Sequence, residues 1–203
     1  MTQSTNPLAD NAFRLHDWLS VRLDGLRIPQ VRRVLMAVSC YDLVYEHQLA
    51  VACLVRSRIY GSAFALVRPI VEAYVRGVWL KKCATEAQLQ NFVDDKKIIF
   101  EEILIEIELL DEFKSSALSA FKKDAWAVLN SYTHGGVQQA ARRLNGDVIE
   151  PNYSEADLIN VLRVADAFSL LAFQQSTAEA GRLDLAAEAV HKLSSVIESY
   201  RRQ

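Results

Sequence analysis

The chain has 203 residues, of which 51% are hydrophobic and 24% are charged, with only 7 glycines and 4 prolines. This composition predicts a single globular domain over residues 1–203, with residues 1–7 as the one loose segment, and it excludes disordered, collagen-like and low-complexity proteins. The 23 basic and 25 acidic side chains give a formal charge of −2. Net charge therefore does not indicate nucleic-acid binding, which would need a local basic patch.

The cysteines and the first residues predict a cytoplasmic protein. Cys40, Cys53 and Cys83 form an odd set without C-x-x-C spacing, so we expect reduced thiols buried on apolar helix faces. Residues 1–10 lack the basic and apolar regions of a signal peptide. No run of 18 apolar residues occurs, so no membrane span is expected.

Apolar residues recur along the chain with a helical period, and strand patterns are almost absent. Residues 145–153 are the clearest loop. The pattern predicts an all-α, single-domain bundle of about seven to nine helices, at roughly 8–25, 29–58, 61–83, 85–92, 95–113, 116–132 and 137–144, then a long helix from 154 and a last one after Gly181 that reaches Tyr200.

Several local signals mark where helices begin or bend. Thr85 with Gln88 fits a capping box, and Ser154 is a helix cap with Asp157 in the first turn. Pro69 lies inside a helical pattern, where it removes a hydrogen bond, so we expect a kink or a restart there. The glutamates of the helix at 95–113 are expected to form a solvated face opposite a stripe of isoleucines.

The third predicted helix carries the first candidate site. Arg68, Glu72 and Arg76 are spaced i, i+4, i+8 and share one stripe of a helix that is otherwise apolar. One interpretation is an internal Arg-Glu-Arg ladder that fixes the register of neighbouring helices. The other is that Arg68 or Arg76 directs an unused part of its guanidinium at an anionic ligand.

The second candidate site is the turn Tyr132-Thr133-His134-Gly135-Gly136. The glycines suit a tight reversal, and His134 would lie at a helix C-terminus, where the macrodipole favours its protonated form. Arg142 follows about two turns into the next helix. These residues predict either an anion site at the start of that helix or a structural cap over the turn.

No metal site and no cofactor are predicted. The motif E-x-x-H occurs once, at Glu188 and His191, whereas a di-metal helical bundle needs it twice. The zinc-hydrolase motif and the glycine-rich nucleotide motifs are missing.

The segment Arg68-Pro69-Ile70-Val71-Glu72, continued by Arg76-Gly77-Val78-Trp79-Leu80 and by the later His134-Gly135-Gly136, resembles an uncharacterised bacterial all-helical family. More remotely the chain is similar to HEPN domains. That resemblance implies a long helical hairpin at the centre and a setting in bacterial defence or toxin–antitoxin systems. HEPN ribonucleases carry Arg and His on one helix, whereas here the pair would be assembled from Arg68 or Arg76 and His134.

Two functions follow from these sites. The first is a non-catalytic module that binds a small anion, a nucleotide or a protein partner. The alternative is a metal-independent ribonuclease or phosphoryl-transfer enzyme, with His134 as general acid and base, Arg68 and Arg76 stabilising charge on phosphate, and Tyr132 orienting the substrate. The apolar stretch at 168–173 predicts a homodimer surface.

Overall fold

A computed structural model describes residues 7–201 of the chain, without the side chains of Pro7, Ile197 and Arg201. Residues 1–6 lie outside this range, so the expected loose segment falls almost wholly on residues that the structure does not describe. The all-α fold is confirmed. The elements are α1 Pro7–Leu23, α2 Arg32–Arg56, α3 Tyr60–Ala65, α4 Val67–Lys82, α5 Glu86–Val93, α6 Phe100–Glu108, a 3₁₀ turn Asp111–Phe113, α7 Ala117–Thr133, α8 Val137–Ala141, β1 Leu144–Asn145, β2 Val148–Ile149, α9 Glu155–Glu179 and α10 Leu183–Arg201.

The core is built around the two longest helices, α2 and α9, which pack against each other. Helix α4 packs on α2, and α10 covers α9. Helix α4 is buried over most of its circumference, as its sequence predicted, because nearly every side chain outside the charged stripe is apolar. This places the stripe of Arg68, Glu72 and Arg76 on a helix at the centre of the bundle.

The predicted third helix is divided into α3 and α4, with the break at Leu66. Pro69 is the third residue of α4 and therefore lies in its first turn, where a backbone N–H has no acceptor within the helix. The expected restart at this proline is confirmed. The restart leaves all three charged residues of the stripe on one uninterrupted helix.

The segment after α5 differs from the prediction. Asp95 has φ +53°, a left-handed conformation, and the next helix begins only at Phe100, so the helix expected at 95–113 covers 100–108. Its acidic face is only partly solvated. Glu106 accepts a hydrogen bond from Trp79 Nε1 at 2.5 Å, and Glu108 accepts one from the Ser119 hydroxyl at 2.6 Å.

The helix expected at 137–144 was also too long. Helix α8 ends at Ala141, and Leu144–Asn145 pairs antiparallel with Val148–Ile149. Gly146, at φ +59°, supplies the left-handed residue that this hairpin turn needs. The expected loop at 145–153 thus contains most of a two-stranded hairpin.

Two predictions about burial were wrong. The stretch at 168–173 lies in the core of the monomer on α9, with Phe168, Leu170 and Phe173 all buried, so it offers no dimer surface. Homo-oligomerisation stays a prediction without that support. Cys40 is buried as expected, whereas Cys53 is exposed and Cys83 is half-buried.

Within residues 7–201, no helix combines the length and the apolar character that crossing a membrane requires.

Candidate functional site

An open cleft of about 710 Å³ lies along the charged stripe of α4. Helix α2 forms one wall, the end of α7 forms another, and the connection between α5 and α6 forms the rim. The residues that line it are Cys40, Leu43 and His47 from α2, Arg68, Pro69, Glu72, Ala73 and Arg76 from α4, Phe92, Asp95, Lys96, Lys97 and Ile98 from α5 and the rim, and Thr133 and His134 at the end of α7.

Glu72 lies between the two guanidinium groups, as the spacing predicted. Arg68 Nε donates to Glu72 Oε1 at 2.7 Å, and Arg76 Nη2 lies 2.9 Å from Glu72 Oε2. The carboxylate uses both oxygens, whereas each guanidinium keeps donors with no recorded protein partner among the described residues. All three side chains line the cleft, and Arg76, at 34% exposed, is more open to solvent than Glu72, at 14%.

The structure brings Arg68 and His134 together from positions 66 residues apart, with Nη1 of the guanidinium 2.8 Å from Nε2 of the imidazole. A guanidinium can only donate, so His134 Nε2 is the acceptor of this hydrogen bond. Arg68 also lies over the ring of Trp126, with its Cζ 5.4 Å from the ring centroid.

The glycine corner positions His134. The backbone N–H of His134 donates to the Asn130 carbonyl and ends α7, and Gly135 then adopts φ +65°. A Cβ on Gly136 would lie 2.6 Å from the Ser131 hydroxyl oxygen, so this close approach requires glycine. The turn therefore fixes the imidazole at the mouth of the cleft, next to α4.

Four residues of the predicted site, Tyr132, Gly135, Gly136 and Arg142, do not line the cleft. Tyr132 is buried and stacks on Phe64 with ring centroids 5.0 Å apart, so it does not reach the cleft. Arg142 forms a two-point ion pair with Asp157, at 2.8 and 3.1 Å. Gly135 lines a separate, smaller cavity beside Gly61. Helix α8, at whose start an anion site was one of the two expectations, has only five residues.

Sequence reasoning missed three basic residues of the cleft, namely His47, Lys96 and Lys97. His47 had no partner at a recognisable spacing, and the two lysines lie in a connection that was expected to be helical. The only local signal was the pair of lysines directly after the acidic pair at 94–95. Their position depends on how the rim crosses α4, which no spacing along the chain encodes.

The charge balance of the cleft is positive. Four basic side chains, Arg68, Arg76, Lys96 and Lys97, face two acidic ones, Glu72 and Asp95, which leaves two positive charges in excess. The Cys40 thiol is not an activated nucleophile here, because burial raises its pKa to about 11 despite the nearby Arg76 cation.

Within residues 7–201, no group of three or more His, Cys, Asp or Glu side chains is placed so that it could hold a metal ion. Glu188, the acidic member of the single E-x-x-H motif, is paired with Arg22 at 2.7 Å.

Comparison with known proteins identifies the family. No curated protein and no solved structure matches the chain, so the remote similarity to HEPN domains stays a prediction. Residues 41–201 match the model of a family of unknown function (DUF6988), a range that contains α4, the rim and the glycine corner. Because this range covers well over half of the chain, the protein belongs to that family.

Proposed function

We propose that the cleft binds a small anion and that the protein acts as an anion-binding module. The observation that carries this proposal is the pair of guanidinium groups, Arg68 and Arg76, held in place by one carboxylate and facing an open cleft. An arginine whose orientation is already fixed loses less side-chain entropy when it binds a phosphate or a carboxylate.

Phosphate suits this arrangement better than a carboxylate does. A phosphate group presents several acceptor oxygens. Arg68 and Arg76 each lie about one helical turn from Glu72, one before it and one after it, and their guanidinium groups offer several donors in fixed positions. Lys97 adds a cation with no recorded partner in the described part of the chain, whereas Lys96 is already paired with Asp94 at 3.4 Å.

The test is the binding of inorganic phosphate by calorimetry at low salt. We expect Arg68→Ala and Arg76→Ala each to weaken binding by roughly 10-fold or more, the usual worth of a charge-assisted hydrogen bond. Arg143→Ala is the matched control, because Arg143 is an exposed arginine near the glycine corner but outside the cleft. Equal affinity of all three variants and the wild-type protein would refute the proposal.

A second candidate is metal-independent cleavage of RNA, which the contact between Arg68 and His134 in an open cleft favours. In this reaction a ribose 2′-hydroxyl attacks the adjacent phosphorus, its proton passes to His134 Nε2, and the P–O5′ bond breaks. The imidazole then returns the proton to the leaving 5′-oxygen, while Arg68 and Arg76 stabilise the charge on phosphate. His134 Nε2 must first release the hydrogen bond from Arg68.

An RNA-cleavage assay with chelator present tests this candidate. We expect His134→Ala to reduce cleavage by roughly 100-fold or more if the imidazole transfers the proton. His191→Ala is the control, since His191 is exposed on α10 and does not line the cleft. Undiminished cleavage in His134→Ala would remove the catalytic candidate and leave the anion-binding proposal standing.

A further inference from the structure

We infer that the ligand of this cleft is an organic phosphate that carries an aromatic group, with the phosphate on Arg68 and Arg76 and the aromatic group on an apolar wall. The inference rests on the proposed anion binding and names the class of ligand. It follows from three features of the same cleft: its size, its apolar side chains and the distribution of its charges.

The cleft is far larger than an inorganic anion needs. A water molecule takes about 30 Å³ of the liquid, so 710 Å³ corresponds to roughly two dozen waters. Cavities of about 300–1,000 Å³ are the usual size for organic ligands and cofactors. A phosphate held at the guanidinium groups would fill only one part of this space.

The remaining space has apolar side chains available to it. Leu43 on α2 is 46% exposed, although it is a large aliphatic residue in the middle of a core helix. Phe92 at the end of α5 and Ile98 on the rim are half-buried and line the same cleft. A ligand that covered these three side chains would remove apolar surface from water, which is the main source of affinity in such sites.

An aromatic group fits this wall better than an aliphatic chain. The Phe92 ring can pair with a second ring edge-on or offset, which adds to the gain from buried area. Arg68, Arg76 and His134 come from α4 and the end of α7, whereas Leu43, Phe92 and Ile98 come from α2, α5 and the rim, where Asp95, Lys96 and Lys97 precede Ile98. A ligand with one anionic end and one apolar end would contact both sets of side chains.

Calorimetry with two probes, inorganic phosphate and phenyl phosphate, tests the inference. We expect phenyl phosphate to bind the wild-type protein about tenfold more tightly, because its ring is buried on the apolar wall. In Leu43→Ser and in Phe92→Ala this preference should fall to about threefold or less. The control Val128→Ser removes a similarly exposed apolar side chain outside the cleft and should keep the tenfold preference.

The possible outcomes distinguish this inference from the anion-binding proposal on which it rests. If both probes bind with equal affinity and Arg68→Ala weakens both, anion binding stands and the aromatic ligand is refuted. A tenfold preference that survives both wall variants also refutes it, since the ring would then lie elsewhere. Binding of neither probe to the wild-type protein overturns both proposals. Because Phe92 also packs on the core, Leu43→Ser carries the test if Phe92→Ala does not fold.

Discussion

Helix α2 lies between two clusters of side chains, one at the open cleft and exposed to water, the other buried in the core. Cys40, Leu43 and His47 face the open cleft, where Glu72 holds two arginines that keep unused donors. The next residue, Gln48, faces the opposite cluster, in the core. There its Nε2 donates to Asp166 Oδ1 at 2.9 Å and to the Ala12 carbonyl at 3.0 Å.

The buried cluster holds the terminal helices together. Tyr200 on α10 donates its hydroxyl proton to Asp166 Oδ2 at 2.7 Å, so both carboxyl oxygens are occupied by protein donors. Asp166 is 1% exposed. Burial raises its pKa to about 6, although the hydrogen bonds from Gln48 and Tyr200 oppose that rise. Arg14 on α1 and Lys192 on α10 line a small cavity together with Asp166.

Charged side chains within this helical bundle therefore occur in two different settings. In the buried cluster the donors and the carboxyl oxygens match, and the carboxyl group has no oxygen left for a ligand. In the cleft the donors outnumber the acceptors, and water reaches them. An excess of donors beside an open cavity, rather than charge as such, is what indicates a binding site.

The largest expected effect is on the pH dependence of stability. Because the pKa of Asp166 is raised, the native protein binds this proton more tightly than the unfolded chain does, and the stabilisation is full below about pH 4 and lost as the pH rises through about 6. We expect wild-type protein to lose roughly 2.5 kcal/mol of unfolding free energy relative to Asp166→Asn between pH 4 and pH 7. If the unfolding free energies of the two proteins, measured in urea, changed in parallel with pH, the raised pKa of Asp166 would be contradicted.

A smaller effect is expected where the two regions meet, at the contact between α2 and α4. A Cβ on Gly77 would lie 2.4 Å from the Tyr41 ring, which is fully buried, so Gly77→Ala must push the two helices apart. We expect a loss of about 2 kcal/mol in urea unfolding. The control is Gly61→Ala, whose Cβ would meet neighbours at 3.4 Å and which should change stability by about 0.5 kcal/mol or less.

The smallest effect on stability is expected in the cleft, where Glu72→Gln replaces a carboxylate by an amide as Asp166→Asn does in the core. Glu72→Gln should cost about 1 kcal/mol or less at pH 7, because both ion pairs of Glu72 are partly exposed and one amide oxygen still accepts from an arginine. A loss of 3 kcal/mol or more would instead identify the ladder as an internal structural element. That result would decide between the two interpretations that the spacing of Arg68, Glu72 and Arg76 left open.

Several local features were predictable because their partners are close in sequence. The capping boxes of Thr85 with Gln88 and of Ser154 with Asp157 are both present. The restart at Pro69 and the left-handed Gly135 follow from the chemistry of single residues. The Arg-Glu-Arg stripe also follows from helical geometry, since residues four apart lie on one face.

Other assignments failed because residues distant in sequence decided them. Arg142 was expected at an anion site. Instead, both of its terminal nitrogens donate to the carboxylate of Asp157, which also caps α9. The apolar stretch at 168–173 was expected on the surface, yet α1, α2, α4 and α10 surround α9 and bury it. His47 has no partner at a recognisable spacing, because its neighbours in the cleft come from four other segments.

The amino-acid sequence by itself determined the helical class, the faces of the helices and the charged stripe of α4, because a helix relates residues only three or four positions apart. The tertiary structure alone decided that His134 meets Arg68, that the rim brings Lys97 to the cleft, and that Tyr132 is buried away from it. Those outcomes depend on the angles and distances at which helices pack. Packing is set by the shapes of many side chains together and has no signature at any fixed spacing along the chain.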